Sequence, residues 1–183
     1  AIADLLDNSI SAHAKNIRIE FRSEPQPYLA IIDDGCGMSA DKIAEAMRHG
    51  STNPLSPRDA RDMGRYGLGL KTASLSQCRR LTVVSKKNGV INGLCWDLDI
   101  VVLRQSWVML ELEPSELEAL PHYSELGSLE SGTMVLLEKT DRLLAGESST
   151  DAAFRTKMNV VHDHLALVFH RFLSKELGFQ RIA

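Results

Sequence analysis

The chain predicts an α+β fold: a two-layer α/β sandwich in which a mixed, mostly antiparallel sheet is covered on one face by helices. Three observations carry this. Strand-like segments alternate with helical ones along a single 183-residue chain, the size of one domain. Neighbouring strand segments are joined by turns too short for a crossover, which favours antiparallel pairing. Helical periodicity is confined to a few stretches, enough for one covering layer.

Taken in order, Ala1–Ala14 reads as a helix, with Ile2, Leu5, Leu6 and Ile10 apolar. Asn16–Arg22 (NIRIEFR) alternates apolar and polar residues, as a half-buried strand does. Glu24–Pro27 is a turn and Tyr28–Asp33 a second strand, so the pair forms a hairpin. Ser39 caps a short helix running to His49, with Asp41 in its first turn. Gly50–Tyr66 is an irregular stretch rich in Gly, Pro, Ser, Asn, Arg and Asp, long enough to mark a functional loop. Gly67–Gln77 reads as a helix opened by glycines. Strand runs follow at Leu81–Ser85, Val90–Ile100, Trp107–Glu113 and Thr133–Glu138, with a short helix at Pro114–Leu120. Asp151–Ser174 is a long helix with Phe154, Met158, Val161, Leu165, Val168 and Phe172 on one stripe.

Composition narrows the class. The hydrophobic content of 44% and charged content of 25% are ordinary for a globular domain. A net charge of -3 supplies no global attraction to nucleic acid, so nucleic-acid binding is expected only through other domains. Cys36, Cys78 and Cys95 are odd in number and lack CxxC spacing, which points to a reducing, cytoplasmic compartment. The six histidines form no metal-binding pattern; His162 and His164 are two apart in a helical stretch and point away from each other. No run approaches the roughly 18 apolar residues of a membrane span, and no membrane partner is expected. The chain starts on Ala1 inside a helical pattern and ends on LGFQRIA without a cap, so a fragment of a longer protein is expected.

Three separated motifs carry chemistry. In AIADLLDNSISA, Asp4, Asp7, Asn8 and Ser11 fall at i, i+3, i+4 and i+7 and share one helix face. A solvated stripe accounts for that face as well as a cleft does. In the cleft reading, Asn8 offers a neutral oxygen suited to Mg²⁺ and Asp4, one turn earlier, can polarise a water. In IIDDGCGM a strand ends on Asp33, and Gly35 and Gly37 allow close backbone approach. An ordinary tight turn has the same composition. A carboxylate accepts hydrogen bonds only, so Asp33 fits the exocyclic amine of adenine and repels the carbonyl of guanine. In GRYGLGLKTAS, Gly67 and Gly69 precede a helix whose free N–H groups can hold phosphate oxygens, with Lys71 in its first turn. It is not a P-loop: Gly64 and Gly69 have the right gap, but Leu70 stands where Lys is required. A fourth piece, Ser131–Val135, opens a strand, and Thr133 can offer a hydroxyl to a base or a bridging water.

The order DLLDN, DDGCGM, GRYGLGLK and SGTMV resembles the GHKL ATPase superfamily with the Bergerat nucleotide fold. That superfamily includes gyrase B subunits, MutL mismatch-repair proteins, MORC proteins, heat-shock chaperones and sensor histidine kinases. AIADLLDNSISA and YGLGLKTAS look closest to its MORC-like and chaperone-like branch. The resemblance covers Ala1 to about Lys139. It implies ATP and Mg²⁺ as ligands, with Asn8 on the metal, Asp33 on the adenine amine, and Gly35 and Gly37 shaping the base pocket. It implies Met38 and Ile43 as apolar walls, Gly67, Gly69 and Lys71 on the phosphates, and Thr133 helping at the base. It implies that residues 50–66 form a lid closing over ATP, and that the full-length protein forms an ATP-dependent homodimer. One departure matters. Hydrolytic members usually carry Glu four residues before the Asn, as general base, and here it is Asp4, shorter by about 1.5 Å. Three readings follow: an ATPase acting as a nucleotide-driven switch, a histidine-kinase-type phosphotransferase, and a nucleotide sensor without turnover.

Overall fold

A computed structural model describes residues 2–48, 74–140, 150–169 and 181–182. The expected loop 50–66 and the expected phosphate-holding residues Gly67, Gly69 and Lys71 lie outside the described residues. Helix α1 (Ile2–Ser11) leads into the hairpin β1 (Asn16–Arg22) and β2 (Tyr28–Asp33), followed by α2 (Ala40–Met47). A second group comprises β3 (Arg80–Lys87), β4 (Val90–Asp97), α3 (Leu98–Arg104), β5 (Leu110–Glu111), α4 (Pro114–Glu118), α5 (Tyr123–Ser128) and β6 (Gly132–Glu138). Helix α6 (Thr150–Val168) and a short β7 (Arg181–Ile182) complete the described elements.

The strands form one sheet in the order β5-β4-β3-β6-β2-β1-β7. Among the described residues every pairing is antiparallel except β1 with β7, which is parallel. The sheet is therefore mixed and mostly antiparallel, as the sequence predicts. Strand β6 joins the two halves, because it pairs with β2 on one side and β3 on the other. Successive residues of a strand face opposite sides, and the packing follows that alternation. Leu29, Ile31, Leu81, Val83, Trp96 and Leu137 face the principal core, with Leu5 and Leu6 of α1, Ile43 and Met47 of α2, and Phe154, Met158 and Leu165 of α6. This is the expected helical layer. The opposite face also has a cover: Ala30, Ile32, Val84, Met134 and Leu136 pack with Leu117 of α4 and Leu126 of α5.

Some local expectations shift. The strand predicted over Val90–Ile100 stops at Asp97, whose carboxylate accepts the Asp99 N–H at 3.0 Å and starts α3 instead. Tertiary and capping contacts there override the β-branched run IVV. Of the run Trp107–Glu113 only Leu110 and Glu111 pair with β4, while Trp107 packs edge-on against Trp96 at 5.6 Å. Helix α5 was not expected, because its six residues are too few to show a period. In α6 the buried stripe is Phe154, Met158 and Leu165, continued by Phe169 just past its end, whereas Val168 is 48% exposed. Four turns of helix take about 14.4 residues, so the line of the stripe from Phe154 passes between Val168 and Phe169, and it is Phe169 that is buried. Phe172 and the rest of the predicted helix lie outside the described residues. Ser39 does occupy the N-cap of α2, but its side chain makes no capping bond. No described helix is long and apolar enough to cross a membrane.

Candidate functional site

The site is built where β2 ends and β6 begins, beside α1. Asp33 is the last residue of β2 and shares its face with Leu29 and Ile31, so its carboxylate points into the helical layer. It is 5% exposed. Its Oδ2 accepts the Ser9 hydroxyl of α1 at 2.8 Å and its Oδ1 accepts the Gly35 N–H at 2.9 Å. Burial pushes its pKa above the usual carboxylate range; the Ser9 hydroxyl and the Gly35 and Thr133 backbones oppose that without cancelling it. A buried carboxylate with three neutral donors still has a lone pair to offer, and it gains from a further N–H donor.

Asp34, its neighbour, plays a different part. Its Oδ1 accepts the backbone N–H groups of Lys15 and Asn16 at 2.6 and 2.8 Å, and its Oδ2 accepts the Asn16 amide at 2.8 Å. Burial pushes its pKa up, but the Asn16 and Lys15 donors outweigh that and hold it low. Asp34 thus ties the loop after β2 to the start of β1.

The turn that follows is pressed against the sheet. Gly37 has φ +60, and a Cβ there would lie 2.0 Å from the Lys86 carbonyl oxygen of β3. A Cβ on Gly35 would lie 2.9 Å from Ala12 and from Asp33 itself. At Gly37 only glycine admits both the left-handed backbone and the close approach. On the far side Ser131 donates to the Gly35 carbonyl at 2.7 Å, and a Cβ on Gly132 would lie 2.2 Å from the Asp33 carbonyl oxygen. The turn is clamped between α1, β3 and the beginning of β6.

Register aligns three polar residues across the sheet. Asp33 stands opposite Thr133, and Thr133 opposite Ser85, all on the helical face. Ser85 is fully buried; its Oγ takes the Met38 N–H at 2.8 Å, donates to the Gly132 carbonyl at 2.8 Å and lies 2.9 Å from Thr133 Oγ1.

The sequence-selected residues therefore divide as follows. Asp33, Gly35, Gly37, Met38 and Thr133 come together. Asn8 sits on the exposed side of α1, next in sequence to the Ser9 that binds Asp33. Asp4 is exposed one turn earlier, and Asp7 between them is half-buried. Burial, then the Asp4 charge, raises the pKa of Asp7. Ile43 is completely buried in the core, in α2, the helix that follows Met38. Three serines of the site were not singled out from the sequence: Ser9, Ser85 and Ser131. Ser9 adjoins the DN pair, and Ser85 lies on the core-facing parity of an otherwise apolar strand, which is the signal that marks each.

Hard oxygen donors suit Mg²⁺, and the exposed amide of Asn8 with Asp4 on the same helix face is such a set. Among the described residues no group of three or more His, Cys, Asp or Glu side chains can hold a metal. An ion here would have to take further ligands from phosphate oxygens and water. A cavity of about 410 Å³ lies elsewhere, lined by Ile2, Ala3, Leu29, Leu137, Met158 and Leu165 among others. It is almost wholly apolar and contains none of the residues of the Asp33 site.

Comparison with known proteins bears on this arrangement. Residues 1–133 match the family model described as histidine kinase-, DNA gyrase B-, and HSP90-like ATPase. The ATPase morc-1 of Caenorhabditis elegans is 36% identical over 95 residues, which is 51% of this chain and 11% of that protein. The DNA mismatch repair protein MutL of Thermoanaerobacter sp. (strain X514) is 34% identical over 94 residues, 50% of this chain and 15% of that protein. MutL of Paramagnetospirillum magneticum is 32% identical over 103 residues, 55% of this chain and 16% of that protein. The matched segment spans only a small part of each of these relatives.

Proposed function

Because the chain belongs to the histidine kinase-, DNA gyrase B-, and HSP90-like ATPase family, we propose that Asp33 reads the adenine amine of ATP and that the pocket around it acts as a nucleotide-driven switch. The observation that carries this is the recessed Asp33 carboxylate, held by Ser9 and Gly35 and facing Thr133. A buried acceptor with a spare lone pair and a raised pKa is stabilised by a bound N–H donor. Gly35 and Gly37 bring bare backbone to the base, Met38 forms one wall and Ile43 backs it from the core. Gly67, Gly69 and Lys71 are proposed to hold the phosphates.

Mg²⁺, when bound with ATP, would neutralise phosphate charge; Asn8 is the residue proposed to hold it. Asp4 is the proposed base that orients and deprotonates the attacking water. The replacement of the expected Glu by Asp4 also favours a second reading, a module that binds ATP and does not turn it over. Single-turnover assays of the full-length protein with labelled ATP separate the outcomes. Free phosphate supports hydrolysis through Asp4, phosphoprotein supports a phosphotransferase, and retained ATP supports the sensor. Linkage requires that ATP bind the switched state more tightly than the unswitched one. ATP-dependent homodimerisation of the full-length protein is the form of switch proposed.

Affinity is the first test. Calorimetry with ATP and Mg²⁺ should show saturable one-site binding, with GTP much weaker; equal affinity for the two would contradict the assignment of Asp33.

A further inference from the structure

Resting on the nucleotide reading above, we infer that Ser85 is a positioning residue: it commits the Thr133 hydroxyl proton inward and makes Thr133 a pure acceptor beside Asp33. The supply of protons fixes the direction of each bond. A serine hydroxyl has one proton and two lone pairs. Ser85 Oγ has three partners. The Met38 N–H, 2.8 Å away, can only donate, so it takes one lone pair. The Gly132 carbonyl, 2.8 Å away, can only accept, so it takes the one proton. What remains on Ser85 is a single lone pair facing Thr133 Oγ1 at 2.9 Å. Two oxygens at that distance need a proton between them, and only Thr133 has one left. Thr133 therefore donates to Ser85, and both its lone pairs are left for whatever lies against Asp33.

The consequence is selectivity that Asp33 alone does not supply. A 6-oxopurine such as inosine carries an N1–H donor beside its O6 acceptor. A carboxylate can take that N1–H, so Asp33 by itself tolerates the base in a shifted pose. The neighbouring hydroxyl then decides. Because Thr133 stands directly opposite Asp33 in register, it lies beside any group held there. A donating Thr133 would bind O6; an accepting Thr133 repels it. Adenine has no such acceptor at position 6, and its N1 can be reached by a water that donates to both N1 and Thr133. Ser85, which need touch no ligand, thus sets which purine the pocket accepts.

The experiment is the ratio of ATP to ITP affinity, measured by calorimetry on the full chain and its variants. Thr133→Val decides the sign. If Thr133 is an acceptor, its removal relieves ITP and weakens ATP, and the ratio falls, by about tenfold for one hydrogen bond's worth of discrimination. If Thr133 is a donor, its removal weakens ITP and the ratio rises, which would overturn the inference. Thr133→Ser keeps the hydroxyl and should keep the parent ratio. Ser85→Ala frees the Thr133 proton, and the ratio should fall as ITP gains; an unchanged ratio in a variant that still melts cooperatively would overturn it too. Should Ser85→Ala fail to fold, the direction of change in Thr133→Val remains decisive. Absence of ATP binding by the parent chain would instead overturn the nucleotide reading on which this one rests.

Discussion

Asp33 concentrates the chemistry of the proposed pocket into one titratable group. Burial raises its pKa in the folded chain, so between its unfolded and folded values the native state holds the extra proton. Stability then falls as pH rises through that window, and at neutral pH the buried charge is a cost. Asp33→Asn removes the charge while keeping the contacts: the amide oxygen can accept the Gly35 N–H, and Ser9 can turn its proton to the Leu5 carbonyl 3.4 Å away. The variant should therefore melt at or above the parent temperature at pH 7, yet lose ATP affinity by roughly 1.5–3 kcal/mol, the scale of a hydrogen bond to a charged group. The same pKa gives a pH profile. A ligand N–H prefers the carboxylate, so ATP affinity should decline as pH is lowered through a range above that of ordinary aspartates, and calorimetry across pH should find that limb absent in Asp33→Asn. At this scale the sequence was legible where a residue type has one strong chemical reading. Asp33, at a strand end followed by glycines, stands out in the sequence, and the structure places it inside the polar cluster. Ser9, Ser85 and Ser131 do not stand out, because a hydroxyl is common everywhere and each of these acts through a partner distant in the chain: Ser9 with Asp33, Ser85 with Met38 and Thr133, Ser131 with Gly35.

The turn between β2 and α2 behaves as an element in its own right. Its path is fixed by Asp34 at one end and by Trp96 at the other, since the indole N–H of β4 donates to the Met47 carbonyl at 3.0 Å and closes α2 onto the sheet. Between them, Gly37 rests on β3 with a left-handed backbone. Gly37→Ala should cost about 1–3 kcal/mol in chemical denaturation, the scale of overpacking a tight site; a neutral result would mean that the turn is not pressed against Lys86. Helix α1 contributes differently. It fixes Asp33 through buried Ser9 and turns Asp4 and Asn8 outward. Asp4→Ala is expected to leave ATP affinity unchanged and to abolish turnover in single-turnover assays of the full-length protein. Element boundaries were legible where periodicity and a turn agreed, as in the β1–β2 hairpin. They were lost at α3, where an aspartate cap starts a helix on strand-like residues, and at α5, which is too short for periodicity to register.

At the scale of the molecule, the sheet is what makes distant stretches of chain neighbours. β6 threads between the two halves and sets Thr133 between Asp33 and Ser85. The overall class was legible because strand runs and helical period recur along the chain; the second cover showed only as apolar residues on both faces of β2 and β6, such as Ala30, Ile32, Met134 and Leu136, while α4 and α5 themselves are too short for a period to register. The matched segments are 11% and 15% of two relatives' own length, and the proposed switch belongs to the full-length protein. Its sedimentation should shift from monomer to dimer with a non-hydrolysable ATP analogue, and should not shift for Asp33→Asn. The central claim is narrower: one pocket, with Asp33 at its base. It is tested most directly by titrating ATP with Mg²⁺ into isotope-labelled chain and following backbone amide resonances. Saturable shifts concentrated at Ser9, Asp33, Gly35, Ser85 and Thr133, with α4 and α5 undisturbed, are the result expected. Saturable binding that leaves those five residues unmoved and shifts resonances elsewhere would contradict it.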